Sequence, residues 1–319
     1  MKHNLKITLL LLGMFILTQF IGLAVQNADI FHVQNIDATT GNVTSQGNPY
    51  MTWIAPPEPQ TQTDSLGLFS QLIFSFIIAI LLIFFLSKFK VEFFLKAWFF
   101  LVITIALLLC FYSFFRLSGI QLNELYVILS LLAVALVLAY FKVYRRSFIL
   151  HNLTELLIYP GIATVFVPIL NVYTIIALLV LISIYDAWAV WHTGFMQKMA
   201  KYQINKLNIF SGFFVPYVSK AMKNKINLMK EKYSKKELSK KKIKVNIAIL
   251  GGGDVVFPII ASGIMFKYHG FWPATFVILG ATAGLAYLFF FAEKKKFYPA
   301  MPFITSGIFL GMIAGYLLF

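Results

Sequence analysis

The chain opens on a continuous apolar stretch, and comparable runs recur along it to the last residue. An uninterrupted apolar run of about 18 residues or more, rising 1.5 Å per residue as a helix, is long enough to cross a bilayer. The pattern predicts nine spans, at about 7–25, 67–87, 93–115, 123–141, 149–170, 172–195, 245–266, 271–292 and 299–318. The first is read as a retained span, because its apolar core exceeds the roughly 7–15 residues of a signal peptide, although Lys2 and Lys6 precede it. The fold class predicted is an all-α integral membrane protein of nine transmembrane helices. It forms one membrane domain: spans 1–6 within residues 1–195, a basic loop at 196–244, and spans 7–9 within 245–319. No internal repeat is visible.

Composition agrees with this class, at 60% hydrophobic and 12% charged residues, where soluble chains hold about 45–50% and about 25%. The net charge of +15 does not point to nucleic acid, because 14 of the 27 Lys and Arg residues lie between Lys198 and Lys244 and the rest cluster at span ends. Basic residues there hold orientation and meet anionic lipid. With the N-terminus cytoplasmic, 25 fall on the cytoplasmic side and only Arg116 and Lys267 outside, which also puts the C-terminus outside. The sole cysteine, Cys110, lies in an apolar run, so neither a disulfide framework nor a cysteine metal site is expected.

Two connections are long. The external one, about 26–66, carries Asp29, Asp37, Glu58 and Asp64, no Lys or Arg, and Pro56, Pro57 and Pro59; it is read as a polar lid or tether without a core of its own. Within it Asn42-Val43-Thr44 fits a glycosylation acceptor. In the cytoplasmic one, Lys220–Lys244 cannot bury itself, while Ile209–Val218 is read as an interfacial anchor.

Against this background two acidic residues stand deep in apolar helices: Asp186 in LVLISIYDAWAVW and Asp254 in AILGGGDVVFPII. A carboxylate at membrane depth costs about 2.5–3.5 kcal/mol on insertion scales, so its default reading is functional. Asp186 precedes Lys198 by twelve residues and Asp254 follows Lys244 by ten, which places both about 15–18 Å from the flanking lysines, on adjacent helices. Two facing carboxylates cannot both ionise easily, so one retains a proton. Such a pair can take a proton from water with one member and polarise a carbonyl with the other. Gly251, Gly252 and Gly253 leave one side of span 7 bare for a close backbone approach. Pro299, Ala300, Met301 and Pro302 open span 9 with backbone that cannot form regular helix bonds, suited to lining a cavity and holding an unwound substrate strand.

Taken in order, Tyr185-Asp186 in span 6, Gly251-Gly252-Gly253-Asp254 in span 7 and Pro299-Ala300-Met301-Pro302 in span 9 resemble the motifs of the GxGD intramembrane aspartyl proteases. That family comprises presenilins, signal peptide peptidases and their archaeal homologues. Nine spans with the large cytoplasmic loop between spans 6 and 7 match it too, and Met301 stands where the family has Leu. The resemblance implies a presenilin-like fold, catalysis by Asp186 and Asp254, and active-site support or substrate binding by the other motif residues. It also implies a substrate that is a transmembrane helix cut within the bilayer, with no metal and no cofactor.

Weaker candidates are Glu155, read as solvated or capping after His151 and Asn152 with contact to the active cavity as the alternative, and His192 and His269, which have no Cys or carboxylate at ligand spacing. Gly280/Gly284 and Gly307/Gly311/Gly315 are read as helix-packing faces, with self-association as the alternative. Competing functions are a proton- or ion-coupled transporter using the Asp pair as a relay and a prepilin-type peptidase. The first leaves the glycine run and the proline element unexplained, and the second lacks the nine spans, the Tyr-Asp element and the proline element.

Overall fold

The computed structural model describes residues 5–36, 43–86, 92–145, 147–193, 211–217, 246–292 and 298–319. Among them nine α-helices form: α1 (Leu5–Asn27), α2 (Gln62–Leu86), α3 (Glu92–Leu117), α4 (Glu124–Tyr144), α5 (Phe148–Phe166), α6 (Val172–Trp188), α7 (Gly252–His269), α8 (Phe271–Phe291) and α9 (Met301–Leu318). Seven of these are long and apolar enough to cross a membrane among the described residues, α2 and α7 lying outside that set. Helix starts follow local chemistry. Asn123 caps α4, Ser147 caps α5, and Asn171 with Thr174 forms a capping box on α6. Gly270, at φ 87°, takes a left-handed conformation that only glycine adopts cheaply, and so separates α7 from α8.

The all-α expectation is corrected by two antiparallel hairpins. Strands β1 (His32–Ile36) and β2 (Val43–Gly47) pair outside the helices, and β3 (Gly212–Tyr217) pairs with β4 (Asn246–Gly251). Hydropathy assigns β4 to span 7 and β3 to an interfacial anchor. Hydropathy registers apolar side chains, not backbone pairing, and here the facing N–H and C=O groups of β3 and β4 pair with each other while those of Gly212 and Phe214 meet side chains of α5. In β4, Ala248 and Leu250 are buried while Ile249 is exposed, the alternation of a strand. Span 7 therefore starts as a helix only at Gly252.

The external connection is not coreless either. Ile30, Phe31 and Met51 pack on Leu109 and Tyr112 of α3. Buried Asn48 donates to the Ile30 carbonyl and to the Tyr112 hydroxyl, each at 2.9 Å. Asn42 and the lysine-rich stretch from Lys220 to Lys244 lie outside the described residues.

One hydrophobic core joins α1, α5, α6, α7, α8, α9 and the β3–β4 hairpin, while a second joins α3, α4 and α5. The glycine stripes of α8 and α9 face each other, Gly280 against Gly307 and Gly284 against Phe303, with backbones in direct approach. These faces are thus filled within the chain.

Candidate active site

Asp186 sits in the last turn of α6, its surface 6% exposed. Beyond it the helix widens into a π turn at Ala189–Thr193, and the Ala189 N–H is shared between the Asp186 and Tyr185 carbonyls. The Asp186 carboxylate accepts the Met301 backbone N–H at 3.0 Å, and Met301 is the first residue of α9. A helix N-terminus has unpaired N–H groups and a positive dipole end, so it suits a carboxylate. One turn earlier, Ser183 donates to Thr305 at 2.8 Å, a second polar tie between α6 and α9. Tyr185 is half-buried beside Asp186.

The proline element differs from its expected form. Pro299 is buried outside regular secondary structure, and Ala300, already αR, is the N-cap of α9. Met301 and Pro302 are already helical, and the Ala300 carbonyl is taken by the Ile304 N–H. Irregular backbone therefore ends at Ala300, because Pro suits the first helical turn, where its missing N–H has no partner to lose.

Asp254 lies in the first turn of α7, whose N-cap is Gly251. The three glycines before it are not equivalent. A Cβ on Gly252 would stand 2.7 Å from the Ser211 hydroxyl and 2.8 Å from that of Tyr159, whereas one on Gly251 would meet the Asp254 carboxylate at 3.2 Å. On Gly253 the nearest atom would be 3.8 Å away, in Phe257. Fully buried Gln19 of α1 donates to the Val255 carbonyl at 3.1 Å and fixes the turn from the far side. Asp186 and Asp254 lie on helices that pack against each other, and the charge of Asp186 influences Asp254.

Glu155 is neither solvated nor a cap. Its carboxylate is buried and pairs with Lys142 of α4 at 2.7 Å. On the same face of α5, Asn152 holds Phe214 of β3 from both sides, donating to its carbonyl at 2.9 Å and accepting its N–H at 3.1 Å. Tyr159 stacks edge-on against Phe213 and lies within electrostatic reach of both Glu155 and Asp254. Residues 151, 152, 155 and 159 follow helical spacing, which a reader of the sequence can see; what they face, a strand from a distant loop, has no local signal. Ser183, Thr305 and Gln19 likewise carry no local signal of what they face. His192 is exposed in the π turn, and His269 packs edge-on against Tyr316. Among the described residues no group of three or more His, Cys, Asp or Glu gathers to hold a metal.

The family profile described as signal-peptide peptidase, presenilin aspartyl protease matches residues 50–319. Two solved structures of a presenilin family intramembrane aspartate protease, in space groups C222 and P2, share the fold. The first has a TM-score of 0.61 at 17% identity, covering 98% of this chain and 99% of the other. The second has 0.58 at 17%, covering 99% and 98%. No curated protein matches the chain.

Proposed function

The chain belongs to the signal-peptide peptidase and presenilin family of aspartyl proteases and is a multi-pass membrane enzyme, and from that premise we propose that Asp186 and Asp254 together hydrolyse peptide bonds within transmembrane helices of membrane-protein substrates. The observation that carries this reading is the placing of the two carboxylates at the ends of adjacent apolar helices, each beside a helix start, within reach of each other's charge.

The pair shares one proton and works as a unit. The ionised carboxylate takes a proton from water as the water oxygen bonds to the scissile carbonyl carbon, and the protonated one hydrogen-bonds the carbonyl oxygen. Collapse of the tetrahedral species breaks the C–N bond, and the amine nitrogen leaves with a proton from the pair. The substrate must reach the site unwound, because a peptide bond inside an intact helix is shielded. Pro299, which precedes the N-cap of α9 outside regular secondary structure, offers the position for such a strand, and Gly253 leaves open space beside Asp254. Tyr185 flanks the pair.

In this proposal all nine helices cross the bilayer as one membrane domain, the N-terminus cytoplasmic and the C-terminus outside, and the basic segment before β4 meets anionic lipid. The family match favours neither a transporter nor a prepilin-type peptidase. The test is incubation of purified protein with a tagged transmembrane peptide. Fragments from wild type and none from Asp254→Ala are expected; equal cleavage by both, or none by either, overturns the reading.

A further inference from the structure

Resting on that reading, we infer that Glu155 and His151 are positioning residues that hold Asp254 in place through a single step of the β3–β4 ladder. Gly212 is the link. Its N–H faces the Glu155 Oε1 at 3.4 Å, and its carbonyl faces the His151 Nε2 at 2.9 Å. In the strand pair Gly212 lies in register opposite Gly251, with its own N–H and carbonyl turned to α5, and Gly251 caps α7 three residues before Asp254. With φ at 146°, Gly212 adopts a conformation that side-chain-bearing residues rarely reach, so it is shaped for this junction.

The protonation pattern is fixed by the partners. Nε2 of His151 also lies 3.3 Å from the Glu155 Oε1, and both atoms facing it are acceptors, so Nε2 carries a proton. Lys142, with its side chain 4% exposed, donates to the same Glu155 oxygen at 2.7 Å and to Thr154 at 3.3 Å. Thus one carboxylate oxygen gathers Lys142, His151 and the Gly212 N–H.

Stability alone does not account for this cluster. A buried ion pair loses so much hydration that apolar residues of similar volume often hold two helices equally well. What Glu155 offers and an apolar residue lacks is an acceptor for the Gly212 N–H. Residues on α5 that touch neither aspartate thereby set the backbone from which Asp254 projects. Misplacement of a reacting group by about 1 Å can lower a rate by about 10²-fold.

Two charge-free double variants that differ only in the acceptor make the test: Lys142→Met with Glu155→Gln, and Lys142→Met with Glu155→Met. Full-length protein in detergent cleaves a tagged transmembrane peptide, and kcat and KM are measured separately. The Gln variant is expected to keep a kcat at least about tenfold above the Met variant, with KM unchanged between them. Equal kcat values overturn the inference. Should the Met pair fail to fold, His151→Phe keeps the ring packing on Phe214 and removes the Nε2 proton that serves Gly212 and Glu155; its kcat is expected to fall likewise, and a wild-type kcat overturns the inference. Wild type and Asp254→Asn run alongside. Cleavage by Asp254→Asn refutes the aspartyl reading itself, whereas a dead Asp254→Asn beside fully active clamp variants refutes only the clamp.

Discussion

Asp186 binds the start of α9 through the Met301 backbone N–H, at 3.0 Å, and not through the Met301 side chain. The proline element thus reaches the proposed catalytic pair by where it begins a helix. Pro302 in the first turn favours that start, and Pro299, without a backbone N–H, stands just before the N-cap. The Met301 side chain, 3% exposed, only fills core space. Met301→Leu is therefore expected to keep activity within about twofold, since swaps between Leu and Met conserve volume. Met301→Pro, which deletes the N–H, is expected to lose about 10²-fold or more in kcat. Peptide cleavage by the two variants at matched expression decides it; a Met301→Pro protein cleaving at the wild-type rate refutes the role of this bond.

Asp186→Asn and Asp254→Asn test the pair. Each keeps the shape of the side chain but cannot act as a base, so cleavage is expected to fall by about 10²–10⁴-fold or beyond. Expression and melting should persist, since loss of a buried charge does not by itself weaken a fold. Substantial product from either variant would sink the dyad.

The pH profile follows from a shared proton. Below the optimum both carboxylates are protonated and no base remains; above it both are ionised and the carbonyl loses its polarising acid. The rate of peptide cleavage is therefore expected to trace a bell. A flat rate between about pH 4 and 8 contradicts the mechanism, and pH-dependent ion flux in liposomes without peptide product would mark a transporter instead.

The sequence made the apolar helices and both aspartates legible because each rests on local signals: an apolar run, an acid within it, and glycine or proline beside it. The element boundaries near the site were not. Asn246–Gly251 reads as helix by hydropathy, yet its pairing with Gly212–Tyr217 across a long connection makes it a strand. Lys142 counted as a cytoplasmic charge and Glu155 as a solvated one, because a sequence shows that two charges exist and not that they face each other at 2.7 Å. Tertiary pairing was the missing information in each case.

The glycine run separates two kinds of need, which the sequence could not do. Gly252 is enclosed: a side chain there must displace the hydroxyls of Ser211 and Tyr159, the latter on a ring that is buried and packed against Phe213. Ser211 is exposed and can turn away, but buried Tyr159 cannot, so Gly252→Ala is expected to push α7 away from α5 and carry Asp254 with it. Overpacking of this kind costs about 1–3 kcal/mol of stability, and the shift of the carboxylate adds a fall in kcat of about tenfold or more. Gly253 is open, and a methyl group there meets nothing closer than 3.8 Å. Gly253→Ala is therefore expected to fold as wild type does. If its exposed face receives substrate, as proposed, its defect appears in KM while kcat stays close to normal. Melting temperature, kcat and KM for the two variants separate the readings. A Gly252→Ala enzyme as stable and fast as wild type would show that α5 does not confine the turn, and a Gly253→Ala enzyme with normal KM would remove that glycine from the substrate path.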